Sequence, residues 1–279
     1  LAAPATRPAT VPTELPKTAP SFAWPAPDQE QRIAADVSRA QMSVFWESVS
    51  EELWGFRSEL DEFAFVRCSA SRATLVATFS VNGWSNSLAV VDWDGTQTRV
   101  HQFSAWFKHD LDDAIVDVDG DGLVEIVTHE LVLDQGGAST KPVVWSQIFK
   151  ARADYTLEDV SARNRAYYEK VIIPELEDVD GRLAERYEGV DLVSAKAQVQ
   201  FVRDKYRRML NGEREAGLRN ALAWSQSAQR ELQRLAIRAL QDIGTKEARE
   251  EIVRLSEGSD GVVASAAKLA LYVMDAAKP

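Results

Sequence analysis

The spacing of apolar residues changes period once along this chain, near Ser161, and that change limits the folds open to it. Before it, apolar residues come in short runs rich in β-branched and aromatic side chains: Phe63–Cys68, Thr74–Val81, Ser87–Trp93, Thr98–Phe103, Ala114–Val118, Val124–Leu133 and Val143–Ala151. Turn residues such as Asn82-Gly83, Asp94-Gly95 and Gly136-Gly137 separate several of them. The linkers are too short for helical crossovers, so an antiparallel sheet of about five to seven strands is expected. After Ser161 the spacing is helical, with candidate helices at 162–178, 190–211, 213–226, 228–243, 246–256 and 260–275. Pro174 should kink or end the first, and Gly212, Gly244 and Gly258 sit at helix ends. A leading helix is expected over 28–60, with Asp28 as N-cap, a stripe through Ile33, Val37, Ala40 and Val44, and a break near Gly55. The fold class expected is α+β: a helix, a mainly antiparallel β domain, then an all-helical region.

Seven of the ten prolines lie within the first 27 residues, about four apart and separated mostly by Ala and Thr. Such spacing favours extended, semi-rigid chain over helix or strand. The domain reading is therefore a flexible tether over 1–26, a helix plus β domain over 27–160 and a helical domain over 161–279. The sequence starts at Leu1. A Pro/Ala/Thr tether often follows an export signal or lipid anchor, so an extracytoplasmic location is expected, whether periplasmic, surface-anchored or secreted, with an N-terminal membrane tether as one form of it.

Composition narrows the function classes. Hydrophobic residues make up 45% and charged residues 27%, values of a globular chain. No apolar run reaches the roughly 18 residues a membrane span requires. Lys+Arg total 32 against 43 Asp+Glu, and a net charge of -11 repels a phosphate backbone, which argues against nucleic acid as a partner. Cys68 stands alone, so the chain has neither an internal disulfide nor a cysteine-rich metal site. Its apolar strand context suggests a buried thiol. The histidines, His101, His109 and His129, make no H-E-x-x-H pair, and no G-x-S-x-G, P-loop or G-x-G-x-x-G occurs. No catalytic residue is assigned.

The most specific segment is Asp117-Val118-Asp119-Gly120-Asp121-Gly122-Leu123-Val124-Glu125. Carboxylates recur on alternate residues of a loop that Gly122 allows to reverse sharply. Ca²⁺ takes six to eight oxygens at about 2.3–2.6 Å, and four carboxylates with the Leu123 carbonyl could supply most of that shell. An EF-hand is excluded: its twelfth position would be Thr128 rather than glutamate, and the flanks Ala114–Val116 and Val124–Val127 read as strands. The stretch Ala114–Thr128, AIVDVDGDGLVEIVT, resembles the calcium loop of FG-GAP/VCBS-type repeats found in integrin-like β-propeller blades. By that resemblance Asp117, Asp119, Asp121, Leu123 through its carbonyl, and Glu125 would ligate Ca²⁺. A propeller needs typically four to eight blades, and one such loop is present, so a single antiparallel sheet with the loop at one end is expected. The alternative for the same segment is an acidic hairpin that holds no ion.

The helical region carries its own pattern. In Glu231–Gly244, Leu232, Leu235, Ala236, Ala239, Leu240 and Ile243 line one face. Thirty residues on, Val262 would match Leu232 and Ala266 would match Ala236, with Ala248, Ile252 and Leu255 on a helix between. Leu235–Leu240 with Ile243-Gly244 is similar to HEAT repeats of the short, PBS-lyase-like type, which implies a protein-binding solenoid. An antiparallel bundle packed on the sheet is the other arrangement open to these helices. The sequence thus favours a non-enzymatic exported binding or scaffold protein with a calcium-stabilised β domain and a protein partner. The alternative is a cell-envelope enzyme or enzyme inhibitor using His129, Asp112 or Asp113 beside the acidic loop; a purely structural role is a third.

Overall fold

The computed structural model describes residues 13–15, 18–81, 85–103, 111–132 and 143–276. They divide into two units: one runs to Leu131 and resumes from Val144 to Tyr167, and the other comprises Val132, Val143 and the chain from Tyr168. Within the described residues the architecture is α+β, with antiparallel strands in two sheets and most of the helix in the C-terminal half.

The first unit is built on a six-stranded antiparallel sheet. Its strands are β1 (Thr13–Leu15), β2 (Arg32–Ile33), β3 (Glu59–Ser69), β4 (Arg72–Val81), β5 (Ser85–Trp93) and β6 (Thr98–Phe103), in the order β1-β6-β5-β4-β3-β2. One face is covered by helix α1 (Arg39–Trp54), whose Met42, Phe45, Trp46 and Val49 meet Phe65, Leu75, Ala77, Phe79, Ala89 and Val91. The opposite face, with Ala64, Val66, Cys68, Val76, Leu88 and Val90, packs on the second sheet. That sheet comprises β7 (Ile115–Val116), β8 (Glu125–Leu131), β9 (Val144–Ala151) and β10 (Leu157–Asp159), in the order β10-β9-β8-β7. Its Ile126, Phe149, Ala151 and Leu157 complete the layer between the sheets. Successive residues of β3–β5 therefore face two different apolar layers, which is why these strands read as near-continuous apolar runs. The expectation of a single sheet is thus corrected to two, stacked face to face.

A polar cluster closes one end of the layer between the sheets. Asp92, almost fully buried, accepts from Arg72 Nε at 3.0 Å and from Thr74 Oγ1 at 2.8 Å. The guanidinium carbons of Arg72 and Arg99 lie 4.3 Å and 4.5 Å from the centre of the Tyr155 ring, one cation–π contact each. A single helical turn, α2 (Arg165–Tyr167), ends the unit.

The N-terminal segment departs from the sequence expectation. Residues 1–12 lie outside the described residues, but a flexible tether through residue 26 is incompatible with the contacts made between residues 13 and 24. Thr13–Leu15 pairs with Val100–Thr98 of β6. Thr98 Oγ1 donates to the carbonyl of Thr18, which is buried. Phe22 and Trp24 stack among Phe45 and Phe65, and the Trp24 indole donates to the Ala73 carbonyl at 3.1 Å. The aromatic side chains override the proline spacing, because Phe22 and Trp24 bring apolar area that the sheet can bury.

The leading helix is also shorter than expected. Ile33 belongs to β2 and pairs with Phe65, and Leu60 belongs to β3. The helix starts at Ser38, whose Oγ accepts from Gln41 N while the Gln41 side chain reaches back to the Ser38 amide, a reciprocal capping box. Asp28 instead accepts from Glu30 N in a local turn. Val44 is exposed, so the stripe through Ala40 and Val44 is the solvent side, and the buried face is the one carrying Phe45 and Trp46. The helix ends at Gly55, in the left-handed conformation, where the sequence suggests a break within a helix running to residue 60.

The second unit is helical. A π-helical stretch (Tyr168–Ile172) leads into α3 (Ile173–Arg186), with Pro174 in its first turn, where the missing N–H interrupts the regular ladder. There follow α4 (Gly189–Asn211), α5 (Leu218–Ser225), α6 (Arg230–Ile243), α7 (Lys246–Ser256) and α8 (Gly261–Ala276). Residues 213–217, expected as the start of a helix, are not helical, and 214–217 form turns. Helix α5 pairs with α6 and α7 with α8, while α5 also meets α7 and α6 meets α8. The four helices form two hairpins laid side by side. Arg230, at the start of α6, holds Asp260, just before α8, at 2.9 Å. Buried residues of α6 (Leu232, Ala236, Ala239) recur in α8 as Val263, Ala267 and Ala270, an offset of 31 rather than 30. Val262, which the shorter offset matched to Leu232, is half exposed.

Candidate metal centre

The acidic segment joins β7 to β8 and takes its shape from its own carboxylates. Asp117 accepts from Gly120 N at 2.8 Å and from Gly122 N at 3.1 Å. Asp119 accepts from Asp121 N at 3.1 Å, and Asp121 accepts from Leu123 N at 2.8 Å. Glu125, on the first residue of β8, accepts from Val118 N through Oε2 at 2.9 Å. Each acid thus spends one or both oxygens on the loop backbone, curling the chain around the side chains. Gly122 has φ +81°, and a Cβ there would stand 3.1 Å from Arg67 Nη2. Both the conformation and the close approach favour glycine.

Ligand atoms of Asp117, Asp119 and Glu125 all lie within 4.8 Å of one another, so these three residues could hold a metal ion. Asp119 and Asp121 are partly solvated, whereas the Glu125 side chain is 1% exposed. Asp121 stands outside the group of three but turns Oδ2 toward the same centre. Leu123 contributes its amide to Asp121. Among the five residues read as ligands, the structure brings three carboxylates together, places the fourth beside them and leaves Leu123 on the loop next to them.

Sequence reasoning missed the cation at this centre. Lys150 lies on β9, one step beyond the Ile126–Phe149 pair and hence across from Glu125. Its Nζ is 2.7 Å from Asp121 Oδ2, 3.0 Å from Asp119 Oδ2 and 3.1 Å from Glu125 Oε1. The contact with Glu125 is an ion pair without hydrogen-bond geometry, and Oε1 accepts no hydrogen bond among the described residues. Gln31 Nε2 donates to Asp117 at 2.7 Å, and Arg67 donates to the Gly122 carbonyl. The one sequence signal for Lys150 was a lone lysine inside the apolar run Ile148–Ala151.

The electrostatics follow from this arrangement. Burial pushes the Glu125 carboxyl above its ordinary range, against the pull of the Val118 amide and Lys150. The hydrogen bond from Lys150 holds Asp121 below its ordinary range. For Lys150 burial opposes the charge, but the three carboxylates outweigh it and raise its pKa. One ammonium against four carboxylates leaves the loop strongly electronegative.

Comparison with protein-family models, with curated proteins and with solved structures finds no match for this chain. The functional reading rests on the residues themselves. The other sequence candidates do not join this centre: among the described residues, no group of metal-ligating side chains includes His129, Asp112 or Asp113. His129 is buried four residues further along β8, with Nδ1 2.8 Å from Ser146 Oγ, and Asp112 pairs with Arg32. His109 lies outside the described residues. Cys68 is a buried thiol, as expected, and burial raises its pKa far above the ordinary value. Among the described residues no helix is long and apolar enough to cross a membrane.

Proposed function

We propose that this chain is a non-enzymatic, exported binding or scaffold protein. Its β unit is stabilised by Ca²⁺ in the Asp117–Glu125 loop, and its helical unit binds a protein partner. The observation that carries the calcium reading is Glu125: a carboxylate almost wholly removed from water, with ligand atoms of Asp117 and Asp119 within 4.8 Å and only the Lys150 ammonium, without hydrogen-bond geometry, facing its Oε1. Desolvating such a group is costly unless a cation faces it. The donor set is all oxygen and anionic, which suits a hard cation rather than a thiolate- or imidazole-seeking metal. Of the residues present, Asp117, Asp119, Asp121 and Glu125 would hold the ion. Calcium modules outside the cell work at about 0.1–1 mM, which fits an extracytoplasmic setting.

The pairing of α5–α8 supports the protein-binding reading of the helical unit and its likeness to HEAT repeats. In such stacks each hairpin buries one face against the next. Calcium bound only to the folded state adds RT ln(1 + [Ca²⁺]/Kd), about 2.7 kcal/mol at a hundredfold excess over Kd. Thermal melts in millimolar calcium and in chelator should therefore differ, and Asp119→Ala should remove most of the difference while leaving the helical circular dichroism intact. Superimposable melts of the unsubstituted protein would overturn the calcium reading.

A further inference from the structure

We propose that Lys150 is a built-in occupant of the cation position, so that calcium enters the Asp117–Glu125 loop by displacing its ammonium. The inference rests on the calcium reading above and concerns how that site is regulated. Three carboxylate oxygens surround Nζ at 2.7, 3.0 and 3.1 Å. These distances are only a few tenths of an ångström outside the shell of about 2.3–2.6 Å that calcium requires. Asp119 and Glu125 belong both to this ammonium cage and to the group that could hold a metal, so contraction of their oxygens with those of Asp121 and Asp117 would turn the ammonium cage into a calcium cage. Both cations cannot share it, because an ammonium has three donors and no lone pair to ligate a metal, and like charges at such a distance repel strongly.

The placement of Lys150 is fixed by the sheet rather than by a mobile loop. It sits opposite Glu125 on β9, and its own cross-strand neighbour on β10 is Glu158. Glu158 is held by Arg152 and Arg163 at 2.9 Å and 2.8 Å. A released Lys150 side chain therefore has a second carboxylate opposite it on the neighbouring strand. The loop keeps its shape without metal, because Lys150 offsets part of the repulsion among the acids. Calcium affinity is lowered by the competition, so the site fills only where the ion is abundant.

The test uses the full chain and calcium chloride as the only ligand. Lysine acetylation followed by peptide mass spectrometry should show Lys150 reacting slowly in chelator and severalfold faster in saturating calcium, with the other lysines unchanged. Isothermal titration should show Lys150→Met binding calcium about tenfold more tightly than the unsubstituted protein, since a cationic competitor is gone. Calcium binding with unchanged or slower Lys150 acetylation would overturn the displacement and leave the calcium reading standing. Heat of binding from neither protein would overturn both. Binding by Lys150→Met alone would mean that the ammonium closes the loop permanently, which also overturns displacement. If Lys150→Met fails to fold, the acetylation of the unsubstituted chain decides.

Discussion

Gly217 precedes α5 with φ +89°, and a Cβ there would lie 2.9 Å from both Cβ and Oδ2 of Asp204. Asp204 is itself buried and tied by Asn220 Nδ2 at 2.8 Å, Gln200 Nε2 at 3.0 Å and Arg207 Nη1 at 3.4 Å. It cannot retreat without breaking those bonds. Gly217→Ala therefore carries two costs: about 1–2 kcal/mol for a left-handed alanine and about 1–3 kcal/mol for overpacking. Gly212 supplies the control. It has φ +68° at the end of α4, and an added Cβ would meet nothing within 4 Å. Gly212→Ala should show the conformational cost alone, about 1–2 kcal/mol. Urea unfolding followed by far-ultraviolet circular dichroism measures both. With a slope of about 2 kcal/mol/M, the midpoint of Gly217→Ala should fall about 1–2.5 M and clearly further than that of Gly212→Ala, which should fall about 0.5–1 M. Equal midpoints for the two variants would refute the steric argument.

Two further outcomes are expected. Cys68 should resist a thiol-specific reagent in native protein and react at once after denaturation, because burial disfavours its thiolate; rapid native labelling would contradict its place between the sheets. The Glu251 carboxyl is held below its ordinary value of 4.5 by the hydrogen bond from Arg254, burial opposing and Ser225 assisting. A depressed carboxyl stabilises the fold above its unfolded pKa, and that contribution is lost as pH falls through the lower folded value. Glu251→Gln should thus be less stable at neutral pH yet lose less stability on acidification below about pH 4.5, measured as melting temperature against pH; parallel pH profiles would contradict this.

Strands β3–β6, β8 and β9 were legible because a short chain segment between two turns has few alternatives to an extended run. Helices α4–α7 were legible because one face of each is polar; α8, which leaves Val262, Leu269 and Tyr272 exposed, was legible from its recurrence of the α6 pattern. The small strands β1, β2 and β10 were not: two or three residues carry no periodicity, and Arg32-Ile33 is a strand only because Phe65 and Val66 offer it a ladder. The helical stripe through Ala40 and Val44 misled because helical spacing says that a face exists, not that it is buried. At the metal centre, the acids were readable as a local pattern within one short loop. Lys150 was not, since its relation to Glu125 is made by strand pairing across a separation no local pattern encodes.

The six-stranded sheet is apolar on both faces, and this has a consequence for folding fidelity. In a sheet with one wet face, sliding a strand by one residue turns its apolar side chains into water, and the penalty corrects the error. Sliding β4 by one residue would merely exchange Leu75 for Val76, each of which has an apolar layer to enter. Burial alone therefore discriminates poorly between the correct pairing of β4 with β5 and its neighbours. The group of Arg72, Thr74 and Asp92 supplies what burial does not. A slip would strand Asp92 without its two donors in a dry layer, at the cost of an unpaired buried charge. The few polar side chains between the sheets thus act as the alignment mark by which two apolar strands find their partners.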